Sequence, residues 1–291
     1  MVGRLHLARS KTVGQCTQRK FTMIYKKLPH LSFNFKIRTL QALNHILLCV
    51  GLGYLFATSQ WHWLAVSFGF YLLTLPLGTV CGLHRLLAHK SYKTTKFWER
   101  LLSIFSIFAT IGSTVTWVAL HRLHHGQAEK PKDPHSPYEG RDSPEQLKLT
   151  FRQAFKSWVG YWDVVNLPPR SVSDLIHDPF HAFIHRHYFT IIFVTCVLLA
   201  LINPWLVIFV YAIPACASLH ATSVISVIAH SHGYRTHQLY DKSTNSWIAN
   251  IVTFGDGWHN NHHARPGKWT TKEQWWEVDP CGWFISMIKK A

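Results

Sequence analysis

Two long stretches of this chain carry no charged side chain: Thr39 to Leu83 and His187 to Tyr234 contain no Asp, Glu, Lys or Arg. A helix needs about 20 apolar residues to cross a bilayer, so each stretch has room for two such helices and a tight reversal between them. The reversals are read at Thr58 to His62 in the first stretch and at Asn203, Pro204 and Trp205 in the second. Trp61, Trp63 and Trp205 then stand where aromatic side chains gather at a membrane surface. Composition agrees: 48% of residues are hydrophobic and 15% charged, against roughly 25% charged in soluble domains, which excludes an ordinary water-soluble enzyme.

The formal charge of +16, from 30 Lys and Arg against 14 Asp and Glu, would point to nucleic acid in a soluble protein. Here nine of the basic residues lie between Arg4 and Arg38, with no acid among the first 38 residues. Basic segments of this kind flank membrane spans on their cytoplasmic side, and no nucleic-acid partner is expected. The fold class that follows is an all-α integral membrane protein, its four transmembrane helices arranged as two hairpins. Residues 1–38 form a basic cytosolic segment, 39–83 the first hairpin and 187–229 the second, while 84–186 and 230–291 build a cytosolic helical cap.

A third apolar run, Leu101 to Leu120, is entered through Glu99 and Arg100 and left through His121 and Arg122. It reads as a helix buried in or lying against the cap, because a crossing there would put the histidines before and after it on opposite sides of the membrane. Gly126 to Gln146 reads as loop, Leu147 to Trp162 as an amphipathic helix, and Ser173 as the start of a helix with Asp174 in its first turn. The acid-free residues before Met23 fit an organelle transit peptide or an extended start rather than a cleaved secretory signal. Six cysteines without a CxxC pair read as reduced, and no cysteine-ligated redox cluster is expected.

Twenty-one histidines are the odd feature. Nine fall into four groups: His84 and His89 in HRLLAH; His121, His124 and His125 in HRLHH; His230 in VIAHSHG; and His259, His262 and His263 in HNNHH. On a helix an HxxHH triplet keeps its rings within an arc of about 100°, so all three can converge on one point, whereas a pair five apart diverges by roughly 140° and straddles that point. Chance would supply roughly 0.1 copies of HxxHH in such a chain, and there are two. His45, His62 and His220 read as core or interfacial residues, with His232 and His237 as minor candidates beside His230. Nine neutral imidazoles exceed what one ion takes, so the set implies a dimetal site. Imidazole suits Fe, Cu, Zn and Ni alike. The groups sit at the edges of the apolar stretches, a placement that suits oxygen activation on a hydrocarbon better than hydrolysis.

The order HxxxxH, HxxHH, isolated His, HxxHH resembles the membrane fatty acyl desaturases, the family of stearoyl-CoA desaturase and its bacterial and cyanobacterial delta-9 relatives. Asp133-Pro134-His135-Ser136-Pro137, Ser173-Asp174-Leu175 with Asp178-Pro179, Gly233-Tyr234-Arg235, Gly255 to His263 and Trp275-Trp276-Glu277-Val278-Asp279 are similar to segments of that family in the same order, from about Ile37 onward. The resemblance implies two Fe ions held by His84, His89, His121, His124, His125, His230, His259, His262 and His263, and a bent tunnel for a long-chain acyl substrate. Dioxygen and two electrons would then remove two hydrogens from adjacent methylenes, leaving a cis double bond, with delta-9 as the expected position. Trp117 and Thr222 occupy positions that shape the bend in the family. Ser226 stands where the family often has an Asn holding a water on one iron, Ile111 where it has a tunnel Gln, and Asp256 where it has Glu.

The acyl group is expected on CoA or in a glycerolipid, with an acyl carrier protein left open. No HPGG motif of a fused haem domain is present, so a separate ferredoxin, rubredoxin or cytochrome b5 is expected as electron donor. The expected location is the bacterial cell membrane, or the endoplasmic reticulum or an organelle membrane in a eukaryote, with the site on the cytoplasmic side. The rival reading is a di-iron membrane hydroxylase, disfavoured because no box carries a Glu between its histidines. A metal transporter is disfavoured because its ions bind near mid-bilayer.

Overall fold

Leu55 to Trp63 shows how the first charge-free stretch turns. In the computed structural model, which describes residues 30–130, 133–138, 149–158 and 169–290, helix α1 (His30–Thr58) ends, Ser59 adopts φ +57°, and α2 (His62–Leu72) begins. The second reversal is capped. Helix α7 (Pro179–Ile202) stops at Asn203, whose side chain accepts from Trp205 N at 3.0 Å and starts α8 (Pro204–Leu206), with Pro204 at a position where its missing N–H costs nothing. A π-helical segment, Val207–Ala212, then leads into α9 (Ile213–Val227).

Among the described residues, four helices are long and apolar enough to cross a membrane: Phe33–Thr58, His62–Ala88, Pro179–Ile202 and Pro204–Val227. The first and third turn large apolar side chains outward, among them Phe35, Ile46, Phe56, Phe193, Leu201 and Ile202. Apolar surface on that scale is avoided in water and fits lipid. Inward, Leu55, Ile208 and Phe209 form one cluster, and Ile37, Ile184, Tyr188, Ile192, Tyr211 and Ala215 another. The described residues contain no strand beyond isolated bridges at Tyr234, Asn245 and Trp258.

Helix α2 does not continue as an α-helix. From Leu73 to Ala88 it widens into a π-helix, and Pro76, which has no N–H for the carbonyl four residues back, marks where an α-ladder fails. Gly78 and Gly82 lie on this segment against α3 (Lys96–Ile107); a Cβ on Gly78 would fall 2.5 Å from Ser106 N, so the backbones touch only because it is glycine.

The run Leu101 to Leu120 is two helices rather than the one expected from its length. Helix α3 ends at Ile107, Thr110 and Gly112 take φ +56° and +124°, and Ser113 caps α4 (Thr114–Gln127) by accepting from Thr116 N at 3.2 Å. Tyr188 holds the break: its hydroxyl donates to Ile107 O and accepts from Gly112 N, each at 3.3 Å. Helix α5 (Phe151–Trp158) lies within the predicted amphipathic segment 147–162, of which 147–148 and 159–162 fall outside the described residues, as do 131–132 and 139–146 of the loop 126–146 and all of 1–29. Helix α6 (Ser173–Ile176) starts where the sequence places it, and α10 (Trp247–Thr253), α11 (His259–Ala264) and α12 (Pro280–Ile288) complete the chain.

Candidate metal centre

The π-helix reshapes box one. His89 N donates to His84 O at 3.1 Å, a bond spanning five residues. The wider turn brings the two rings to one side, with centroids 4.9 Å apart, so the expectation that they diverge is corrected. Both join His121, His125 and His262 in one group, and His124, His230, His259 and His263 form a second; within each group the ligand atoms lie within 4.8 Å of one another.

The HxxHH triplets therefore do not each converge on a single point. Along α4 the first and fifth residues of box two, His121 and His125, are about 40° apart and face the first group, while His124 lies about 60° the other way and faces the second. Box three makes the opposite division: His259 and His263 go to the second group and His262 to the first. The two helices interlock by exchanging their middle histidines.

Four rings are oriented by carboxylates. Nδ1 of His84 lies 2.7 Å from Asp256, of His124 2.8 Å from Asp133, of His230 2.9 Å from Glu129, and of His263 3.1 Å from Asp241. A neutral ring beside a carboxylate carries its proton on Nδ1, which leaves the Nε2 lone pair facing inward. With both rings in that tautomer, the Nε2 lone pairs of His124 and His263 face each other at 3.4 Å. Paired lone pairs at that separation repel, and a cation relieves them, so the residues present fit a bound metal pair.

Titration agrees. Burial holds His121, His125, His259 and His262 well below the usual imidazole range, reinforced by neighbouring rings. His89 falls to about 2 for the same reasons, and His263 to about 4 although Asp241 pulls it upward. Burial opposes the Asp133 carboxylate, but His124 and two backbone N–H donors outweigh it and hold it at about 2. His230 is the exception: burial pulls it down, the Glu129 hydrogen bond and charge pull harder, and it rises.

The supporting structure is dense. Arg85 places Nη2 3.2 Å from Asp256 and Nη1 2.9 Å from Asp279. Gly255, at φ +145°, passes so close that a Cβ there would lie 2.2 Å from Asp279 Oδ1. Arg122 reaches from box two to the carbonyls of Leu87 and Ala88, at 2.6 and 3.0 Å, and to both oxygens of Asp174 at 2.9 Å. The two asparagines of HNNHH face away from the histidine groups. Asn260 accepts from Thr236 N and His237 N, and Asn261 donates to Glu277, which also accepts from Tyr234 Oη.

Beside the histidines opens a cleft of about 570 Å³, counting its mouth, whose wall includes Leu75, Val80, Trp117, Thr222, Ile225 and Ser226. Trp117 stacks on His121 at 4.7 Å and 10°, and its buried Nε1 has no hydrogen-bond partner. Thr222 spends its donor on Ser218 O at 2.8 Å, and Ser226 leans on Thr222 O at 3.4 Å. Ile111 is buried in the cluster beneath and is not part of this wall. His232 pairs with Ser231 and His237 with Glu273, both outside the two groups. Histidine spacing alone misses Glu129 and Asp241. Scarcity is the signal that finds them, since acids are few and Glu129 follows box two by four residues.

The fold and the paired histidine groups define a helical membrane protein built around a site that could hold metal. Residues 30–275 match the family model described as fatty acid desaturase, and the chain belongs to that family. It is 31% identical over 244 residues to the sn-1 stearoyl-lipid 9-desaturase of Anabaena variabilis, covering 82% of this chain and 86% of that protein. It is 32% identical to the Delta-9 acyl-lipid desaturase 2 of Arabidopsis thaliana, over 77% of this chain and 71% of the relative. To the Acyl-CoA C20 Delta5-desaturase of Anemone leveillei it is 29% identical, over 84% and 78%. The protein is a fatty acyl desaturase, an oxidoreductase.

Proposed function

We propose that the chain inserts a cis double bond, at delta-9, into a saturated long-chain acyl group, using dioxygen and electrons from a separate donor. The observation that carries the reading is the opening of an apolar cleft directly onto both histidine groups, with His84, His121, His124, His230 and His259 in its wall. His84, His89, His121, His125 and His262 would hold one iron, and His124, His230, His259 and His263 the other. Bound there, the irons supply the redox chemistry that removes two hydrogens from neighbouring methylenes. Dioxygen, two electrons and two protons then leave with those hydrogens as two waters.

The protein's share is positional. Asp256, Asp133, Glu129 and Asp241 fix four rings so that Nε2 faces inward. Leu75, Val80 and Ile225 offer a wall that an acyl chain fills in preference to water. Trp117, stacked on a ring of the first group, sets how far along the chain a methylene lies when it meets the metals. Ser226, in the same wall as His230, is placed to hold a water rather than to ligate. The relatives include proteins named for lipid-linked and for CoA-linked acyl groups, and either carrier is compatible with this reading. The nine basic residues between Arg4 and Arg38 support a site on the cytoplasmic side.

Expression in a host without desaturases, followed by analysis of fatty acid methyl esters, tests the reading. A delta-9 monounsaturated chain of sixteen to eighteen carbons is expected; a hydroxylated chain would overturn it in favour of a hydroxylase.

A further inference from the structure

Glu99, Asp178 and His181 bring a third set of ligating atoms together, one from each residue and all within 4.8 Å, apart from the two histidine groups. His181 is 1% exposed, and its Nε2 makes no hydrogen bond. That nitrogen stands 3.6 Å from Glu99 Oε1, while Nδ1 lies 3.3 Å from Thr114 Oγ1. The carboxylates already hold a cation: Lys96 Nζ is 2.7 Å from Glu99 Oε1 and 3.6 Å from Asp178 Oδ2. Asp178 Oδ1 accepts from Phe180 N at 2.9 Å, capping α7, while Oδ2 faces Lys96.

A buried imidazole nitrogen without a hydrogen bond, beside two carboxylates held together by an exposed lysine, is a poor use of three ligands. The Lys96 side chain is 67% exposed, and an exposed ion pair of this kind contributes at most about 1 kcal/mol. A better cation displaces it easily. We propose that Glu99, Asp178 and His181 bind a divalent ion of the zinc class, with Lys96 swinging into solvent. Three protein ligands with an open position match zinc, and the imidazole selects against magnesium and calcium, which prefer all-oxygen sites. The ion would tie α3 to the start of α7 and, through His181 and Thr114, to the first turn of the helix that carries box two. It is a brace outside the cleft, and it does not depend on the iron assignment.

The test counts metals. Full-length iron-loaded protein is dialysed against Zn²⁺, and zinc and iron are measured in the same sample. One zinc per chain beyond the iron complement is expected in the wild type. Lys96→Met should lower the half-saturating zinc concentration by about fivefold, the equivalent of the displaced ion pair. Glu99→Gln combined with Asp178→Asn should lose that zinc and keep the iron, since Asn preserves the cap. The proposal falls if neither wild type nor Lys96→Met takes up the extra zinc, if the double variant still binds it, or if Mg²⁺ competes equally. A failure of the iron count leaves the zinc difference between wild type and double variant readable.

Discussion

Asp256 divides its carboxylate between two consecutive residues of box one: Oδ2 lies 2.7 Å from His84 Nδ1, and Oδ1 accepts from Arg85 Nη2 at 3.2 Å. Arg85 is in turn anchored by Asp279, so the orientation of His84 is set through a buried charge chain. Replacing Asp256 by Asn keeps the volume and removes the charge. Metal affinity at the first group should fall by about 10- to 100-fold, the usual cost of losing such a partner. Iron retention against a chelator measures it, and retention equal to wild type would show that Asp256 does not orient His84.

The exchange of middle histidines makes a sharper forecast about stoichiometry. His262→Ala should weaken the first group and His259→Ala the second, although the two residues are three apart in one box. Each variant should retain about one iron per chain, and both should lose desaturation. His62→Ala, outside the groups, should keep both ions. Complete iron in either boxed variant would break the assignment of that residue.

Acid sensitivity follows from the depressed imidazoles. His263, held at about 4, binds fewer protons folded than unfolded anywhere below its unfolded value of about 6.5. Its contribution is therefore fully present above about 6.5 and is lost as pH falls from there through 4, amounting to about 3 kcal/mol at most. His89, at about 2, extends the same loss to lower pH, while the raised His230 opposes it, since its contribution fades as pH rises. Metal-free protein should melt at lower temperature at pH 5 than at pH 7. A melting temperature flat across that range would mean that the rings are not kept neutral by burial.

How much of this was legible in the sequence depended on range. The two charge-free stretches and their reversals rest on local hydropathy and turn chemistry, and the helices end at Thr58 and Ile202 as read. The break at Thr110 and Gly112 was written in residues that weaken a helix, yet what fixes it is the Tyr188 hydroxyl from a span far along the chain. An α-helical angle misplaces box one, because the segment that carries it, with Pro76 inside and packed closely on α3, is a π-helix. Asp241 is hidden for a similar reason, since it meets His263 from a loop 22 residues away.

Topology is tested by labelling. In a background without native cysteines, a cysteine at Gln60, exposed between α1 and α2, should react with an impermeant reagent added outside the cell, and one at Arg265, exposed just after box three, should not. The reverse pattern would put the metal centre on the other face.

Trp117 is where the position of the double bond should be decided. Its ring lies nearly parallel to that of His121, with centroids 4.7 Å apart, and forms part of the cleft wall. Thr222, across the same cleft, has already given its hydrogen to Ser218 O and adds bulk rather than a free donor. The tryptophan Nε1 is different, because it is buried without a partner and can donate to a group that enters the cleft. Trp117→Phe keeps an aromatic plane and removes the N–H, while Trp117→Ala removes both and opens a cavity that costs about 3–5 kcal/mol of stability. The alanine variant should give a mixture of bond positions or low turnover. The phenylalanine variant should keep delta-9 as the main product with reduced rate, and Trp283→Ala, at a site 59% exposed, should change neither. Methyl ester analysis with location of the double bond reads all three. A single unchanged product at full rate from Trp117→Ala would remove this residue from the measuring wall.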